Sequence, residues 1–301
     1  ADDQRVNFTR YTRNEKEKSS LLDYFCSSLL ETRDGSIWIG TRKGLSRMAP
    51  ANPDSLYQGF KGRSGQETFE NYGYSITPAL PQTENFIVDI CEDRRGALWL
   101  ATYLGLFIFD PQEAGYHWVR HDAGDPASLS YDGIRAVYRD RGGAMWIGTM
   151  GFGLSRWDQQ VKQFRAYTSK KLDPDLDTKL SISALLEDRR GLMWIFTGND
   201  WYQLNRQTGS VAHRPLEFVS PETNALHEDS DLPLKPLKES RSFLWITNNA
   251  GVFRYDPRPG RIEKIFPPPG EPLFRLHAIY EDNHGDVWFG SFSNLSPNAA
   301  T

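Results

Sequence analysis

Six tryptophans (Trp38, Trp99, Trp146, Trp194, Trp245 and Trp288) constrain this chain most, because each sits in the same short run of residues. The run reads Leu-Glu-Asp-x-x-Gly-x-x-Trp-Ile-Gly-Thr-x-x-Gly-Leu-x-Arg-x-Asp. Its best copies are Tyr138 to Asp158 and Cys91 to Asp110. Successive tryptophans lie 61, 47, 48, 51 and 43 residues apart. Such a period marks one supersecondary unit used repeatedly, and its length suits four short strands better than two helices. The expected fold is all-β: a β-propeller of four-stranded antiparallel blades with negligible helix. Six repeats are visible in a six- or seven-bladed ring.

Each repeat reads strand by strand. An apolar run precedes the tryptophan (Ile87 to Cys91, Ile134 to Tyr138, Ile182 to Leu186, Leu276 to Tyr280), with a small residue ten positions before it at Ser28, Ala136, Ala184 and Ala278. Asp89 breaks that pattern. A fully apolar run with one small position suits the innermost strand of a blade, where neighbours crowd the channel. Turns follow at Asp93 to Gly96, Asp140 to Gly143, Asp188 to Gly191 and Asp282 to Gly285, Asp capping the turn and Gly supplying positive φ. The second strand carries Trp-Ile-Gly-Thr, whose indole fills the wedge between blades. A third strand such as Leu154 to Trp157 comes next. The outer strand carries Phe-x-x-Tyr at Phe8-Tyr11, Phe69-Tyr72 and Phe164-Tyr167, with Trp118-His121 in the equivalent place. The excess length between Trp38 and Trp99 falls at Ala49 to Thr68, an insertion between third and fourth strands. The Phe8 to Tyr11 strand precedes the first repeat, so it would complete the final blade and lock the ring.

Composition excludes some functions. Among 301 residues, 35 basic and 39 acidic side chains leave a net charge of −4, which gives no global attraction to nucleic acid. No stretch reaches ~18 apolar residues, so no helix here is expected to span a bilayer. Cys26 and Cys91 fall in the first strands of neighbouring repeats and read as buried free thiols.

The search for chemistry finds little. Histidines 117, 121, 213, 227, 277 and 284 show no metal-ligand spacing, and no cofactor motif occurs. Gly151-Phe152-Gly153 leads into a strand, which removes the helix a phosphate site needs. Asp173-Pro174-Asp175-Leu176-Asp177 lacks the Gly and closing Glu of a calcium loop and reads as an acidic loop. Trp157-Asp158 spells the dipeptide of another propeller family, but once and out of register. The repeated Glu92-Asp93, Glu187-Asp188 and Glu281-Asp282 pairs argue for turn building, since a single active site needs unique residues.

This consensus, with Ser128-Leu129-Ser130 ahead of the first strand, resembles the two-component regulator propeller repeat, over essentially the whole chain. The resemblance implies a seven-bladed sensor region of a bacterial hybrid histidine kinase or diguanylate cyclase, placed in the periplasm. It implies a ligand that is often an oligosaccharide, and a fused cytoplasmic output domain. On this reading residues 1–301 are a single propeller sensor domain from a longer signalling protein. It would be non-enzymatic, with no metal and no nucleic-acid partner. Two alternatives stay open: a polysaccharide lyase or hydrolase on a propeller scaffold, and a protein-interaction scaffold.

Function in a symmetric scaffold belongs where symmetry breaks. The non-repeating loop residues are Arg42, Tyr103, Trp201, Tyr202, Asn248 and Asn249, on the face carrying the loops between strands two and three. Trp201 and Tyr202 replace the usual Gly-Leu. An exposed Trp201 could stack on a sugar ring, or it could plug the interface of a degenerate blade. After Trp288 the third-strand pattern is lost and Pro297 interrupts it. The chain therefore reads as cut near its sixth blade, with an open ring whose edges favour dimers.

Overall fold

The computed structural model describes residues 11–49, 68–72, 86–113, 115–172, 180–188, 190–197, 200–215, 235–240, 243–248, 251–256, 261–266, 275–281 and 287–292. Blade 1 comprises β1 (Cys26–Glu31), β2 (Ile37–Thr41), β3 (Gly44–Met48) and β4 (Phe69–Tyr72). Blade 2 comprises β5 (Ile87–Glu92), β6 (Leu98–Thr102), β7 (Gly105–Asp110) and β8 (Gly115–Val119). Blade 3 comprises β9 (Ile134–Arg139), β10 (Met145–Thr149), β11 (Leu154–Asp158) and β12 (Gln163–Tyr167), followed by the short helix α1 (Ser169–Leu172). Blade 4 comprises β13 (Ile182–Glu187), β14 (Leu192–Thr197), β15 (Asp200–Asn205) and β16 (Val211–Pro215). Blade 5 comprises β17 (Lys235–Ser240), β18 (Phe243–Asn248), β19 (Gly251–Asp256) and β20 (Arg261–Phe266). The sixth sheet pairs β21 (Arg275–Glu281) with β22 (Val287–Phe292).

Every four-stranded sheet is an antiparallel meander in chain order. Turns joining first to second and third to fourth strands therefore share one face, and the loops joining second to third share the other. The first strand is bulged opposite the second in blades 1 to 4 and in the sixth sheet, always just before the expected small position. There Ser28 faces Gly40, Ala136 faces Gly148 and Ala278 faces Gly290. The crowding is direct: a Cβ on Gly148 would lie 2.6 Å from Ile182 of the next blade. Asp89, the exception, spans the same gap and accepts the Val137 backbone N–H at 3.0 Å.

Trp38, Trp99, Trp146 and Trp194 are buried. Trp38 packs with Ile87, Ile90 and Phe109 of blade 2, Trp99 with Ile134 and Val137 of blade 3, and Trp146 with Ile182 and Met193 of blade 4. Each indole thus fills the wedge toward the following blade. Trp245 and Trp288 hold the same register, opposite Arg254 and Tyr280.

The paired acidic residues are structural. Asp140 accepts the Ala144 N–H at 2.8 Å and the Trp146 indole N–H at 2.9 Å, and Asp93 and Asp188 repeat this toward Trp99 and Trp194. Glu92 and Glu187 latch their blade to the preceding one, accepting the backbone N–H of Arg33 at 3.3 Å and of Arg141 at 2.6 Å. Ser130 N–H donates to Ser155 Oγ at 3.0 Å while Leu129 is fully buried, so the Ser-Leu-Ser run straps the incoming chain across its blade.

Two expectations change. In blade 2 the outer-strand pair is Tyr116 and Val119, not Trp118 and His121, because Phe109 pairs with Tyr116 and Leu106 with Val119, as Met48 and Leu45 pair with Phe69 and Tyr72. Trp118 instead stacks on Phe107 at 5.4 Å. The ring is not open beside blade 1. The first strands of successive sheets neighbour one another, and both β21 and β22 pack against β1, the relation that β6 and β10 have to the next blade's first strand. Finally, Phe8, the acidic loop at 173–177 and Pro297 lie outside the described residues; Tyr11 packs edge-on against Phe69 at 5.7 Å.

Burial, with Asp23 beside Cys26 and Asp89 beside Cys91, raises both thiols from 9.0 to about 12. A thiol raised on folding holds its proton more tightly in the native state than in the unfolded chain. Its stabilisation is full below pH 9 and is lost as pH climbs toward 12. Burial also raises Tyr138, from 10.0 to about 12, adding to the same window. The expected result is negligible reaction of native protein with a disulfide reagent at about pH 8, two thiols titrating in denaturant, and a chemical-denaturation midpoint falling steadily above pH 9. Rapid native labelling of either thiol would contradict this.

Candidate functional site

Threonine builds the loop face. Thr41, Thr102 and Thr149 close the second strand, and each hydroxyl donates to the carbonyl that starts or precedes the third: Gly44 at 2.8 Å, Gly105 at 2.8 Å and Gly153 at 2.9 Å. The Lys43 and Leu104 N–H groups bond back to Thr41 and Thr102. These pinned turns present Arg42 and Tyr103 directly after the threonine on blades 1 and 2, and Phe152 on the one-residue-longer turn of blade 3.

Each meets an aromatic that enters the first strand of its own blade. The Arg42 guanidinium lies 5.0 Å from the Phe25 ring centroid. Tyr103 meets Phe86 edge-on at 5.5 Å, and Phe86 meets Phe25 edge-on at 5.3 Å, so one aromatic chain links blades 1 and 2. On blade 3 Tyr131 stacks on Phe152 at 4.5 Å. The rim stays open to solvent: Tyr103 is 42% exposed, Tyr131 38%, Phe152 39% and the adjacent Tyr24 53%. Blade 1 adds charge, with Arg13 and Lys43 sharing buried Asp23 at 4.0 and 3.5 Å. This arrangement offers flat apolar faces, phenol hydroxyls and cations. The carboxylates Asp23 and Asp132 are held by cations, Asp23 by Arg13 and Lys43 and Asp132 by Arg120 at 2.9 Å. Among the described residues no three His, Cys, Asp or Glu gather as a metal site.

The structure thus brings Arg42 and Tyr103 together, through Phe25 and Phe86. Of the two readings of Trp201, an exposed platform or a plug of its own blade, the burial agrees with the plug. Trp201 is 2% exposed and packs edge-on against Phe196 at 5.0 Å and Trp194 at 6.1 Å. The reason is register: Trp201 pairs with Phe196 as Leu45, Leu106 and Leu154 pair with Gly40, Ala101 and Gly148, and all three leucines are fully buried. Tyr202 is likewise buried, stacked with His213 at 4.9 Å. Asn248 ends β18 opposite Gly251, in the register of Thr41 opposite Gly44. Asn249 lies outside the described residues. Phe25 and Phe86 share one offset, 13 residues before the tryptophan, a signal the sequence reading missed; Tyr131 and Phe152 have no aromatic at their offsets in blades 1 and 2.

Meandering four-stranded sheets around a common centre define a β-propeller. The sequence pattern of the two component regulator propeller matches residues 20–43, 81–104 and 128–151, the segments that enter blades 1, 2 and 3. Histidine kinase P4 of Formosa agariphila is 24% identical over 95% of this chain, which spans 23% of that relative. Among solved structures, the extracellular domain of a hybrid two component system from Bacteroides thetaiotaomicron aligns with a TM-score of 0.58 and 15% identity, over 94% of this chain and 41% of its own. Virginiamycin B lyase from Staphylococcus aureus aligns at 0.55 and 15%, over 88% of this chain and 77% of its own. An auxiliary nutrient binding protein from B. thetaiotaomicron aligns at 0.60 and 8%, over 89% and 67%. At these identities the likeness is one of fold. The chain spans under half the length of the first-named relative and of the two-component structure.

Proposed function

We propose that this propeller is the ligand-sensing domain of a bacterial two-component signalling protein, placed outside the cytoplasmic membrane, and that its rim binds an oligosaccharide. The observation that carries the reading is the set of solvent-open aromatics on the loop face of blades 1 to 3: Tyr24, Tyr103, Tyr131 and Phe152. Sugar rings present apolar C–H faces that stack on aromatic rings, while their hydroxyls bond to phenols and guanidinium groups. The repeat family and the histidine kinase relative support the signalling context. The output domain would be a kinase fused beyond this propeller. Occupancy of the rim would be passed to it as a change in blade-edge geometry.

The test is a calorimetric screen of neutral and acidic oligosaccharides. Tyr103→Ala and Tyr131→Ala should each weaken the best binder about tenfold, equivalent to about 1.4 kcal/mol, with the melting temperature nearly unchanged because both rings are exposed. Binding that survives loss of both rings would overturn the rim. Turnover of any bound sugar would favour the enzyme reading.

A further inference from the structure

On the opposite face, blades 3 and 4 enclose a cavity of about 280 Å³ whose lining includes Asp140, Gly142, Ala144, Arg156, Arg190 and Arg206. Blade 1 shows what that position looks like when filled. There Arg47, paired across from Trp38, lies 5.6 Å over the indole. It is held by Asp34 at 3.3 Å, by Ser36 Oγ at 3.0 and 3.1 Å, and by Glu70 at 3.2 Å. Arg156 sits identically in blade 3, across from Trp146 and 5.5 Å over it. Each of its partners has been removed. Gly142 stands at the place of Asp34, Ala144 at that of Ser36, and Arg165 pairs with Arg156 as Glu70 pairs with Arg47. The Arg156 Nε is buried and has no hydrogen-bond partner among the described residues.

The neighbouring charges do not supply one. Arg206 holds both Asp140 and Glu187; Asp140 Oδ2 also accepts the Trp146 indole N–H, its Oδ1 accepts the Ala144 N–H, and the second Glu187 oxygen accepts the Arg141 N–H. Arg165 pairs with Asp158 at 3.5 Å, on the outer side of the blade. Arg156, Arg190 and Arg206 against Asp140 and Glu187 leave one positive charge over. A buried guanidinium donor without an acceptor is costly, and guanidinium forks match oxyanions bidentately. We infer that this cavity is an anion site, in which Arg156 and Arg190 grip a singly charged oxyanion group, a carboxylate or sulfate ester, on a small molecule. At ~30 Å³ per water the cavity holds several waters' worth of volume, more than the bare group needs. It is separate from the aromatic rim and does not depend on that reading.

The intact chain would be titrated with acetate, methyl sulfate and inorganic phosphate at constant ionic strength set with sodium chloride, following the melting temperature and binding heat. Acetate or methyl sulfate should bind and raise the melting temperature beyond the chloride control. Arg156→Gln and Arg190→Gln should each weaken binding at least tenfold, while Arg165→Gln should leave it unchanged. Ala144→Ser, which restores the hydroxyl that satisfies Arg47, should also weaken binding while keeping or raising the stability of the ion-free protein. No shift beyond chloride overturns the proposal, as does binding that survives Arg156→Gln with Arg190→Gln. Binding of phosphate alone would overturn the assignment to a singly charged group.

Discussion

Asp140→Ala should cost about 3–5 kcal/mol of folding stability in a denaturant titration, because it breaks a buried ion pair and leaves the partner charge behind. Asp140 is 3% exposed and does three jobs at once. It closes the β9–β10 turn at Ala144, accepts the Trp146 indole N–H and pairs with Arg206 of the next blade. Alanine leaves the indole donor and one guanidinium edge unsatisfied inside the wedge between blades 3 and 4. The matched control is Asp93→Ala. Asp93 makes the same turn but is less buried, and its bond to Trp99 is longer, 3.3 Å against 2.9 Å. Its loss should cost only about 1–2 kcal/mol. Equal effects of the two substitutions would show that the bond to blade 4 contributes nothing.

The second large effect is expected at Gly153. Its φ is +78°, and an added Cβ would lie 2.2 Å from the Tyr167 carbonyl oxygen and 3.2 Å from the Thr168 backbone. Backbone cannot swing aside as a side chain can, so Gly153→Ala must shift the end of β12 as well as bear a left-handed conformation. We expect a loss of at least about 3 kcal/mol. Gly209 separates the two causes. It has nearly the same φ, +73°, with nothing within 4 Å of the added carbon. Gly209→Ala should therefore cost only about 1 kcal/mol, the conformational part alone. If the two glycines respond alike, close approach to β12 is not what fixes Gly153.

The spacing of the tryptophans made the blades legible because an indole filling a wedge needs its turn Asp, its turn Gly and its neighbouring strand at set distances. The same logic disclosed the small position of the inner strand and the structural use of the acidic pairs. It failed where an offset was taken for a register. Trp201 shares the offset of the loop glycine Gly153, seven residues after the tryptophan, yet strand pairing puts it in the buried slot of Leu45, Leu106 and Leu154. Trp118 was misassigned likewise, two residues out of register in β8. The rim was half legible. Arg42 and Tyr103 stand out as non-repeating, but Tyr131 and Phe152 have no aromatic at their offsets in blades 1 and 2, and only the folded turn stacks them together. The loss of partners around Arg156 is also written in the sequence, as Gly142, Ala144 and Arg165. Its meaning depends on knowing which residues hold Arg47.

The most direct test of the sensor reading is hydrogen exchange with and without the tightest-binding oligosaccharide. The account predicts slowed exchange in the segments around 22–25, 41–44, 102–105, 130–134 and 149–153, all on the loop face of blades 1 to 3. Protection confined to the opposite face, or spread over the outer strands with these five segments unchanged, would contradict it.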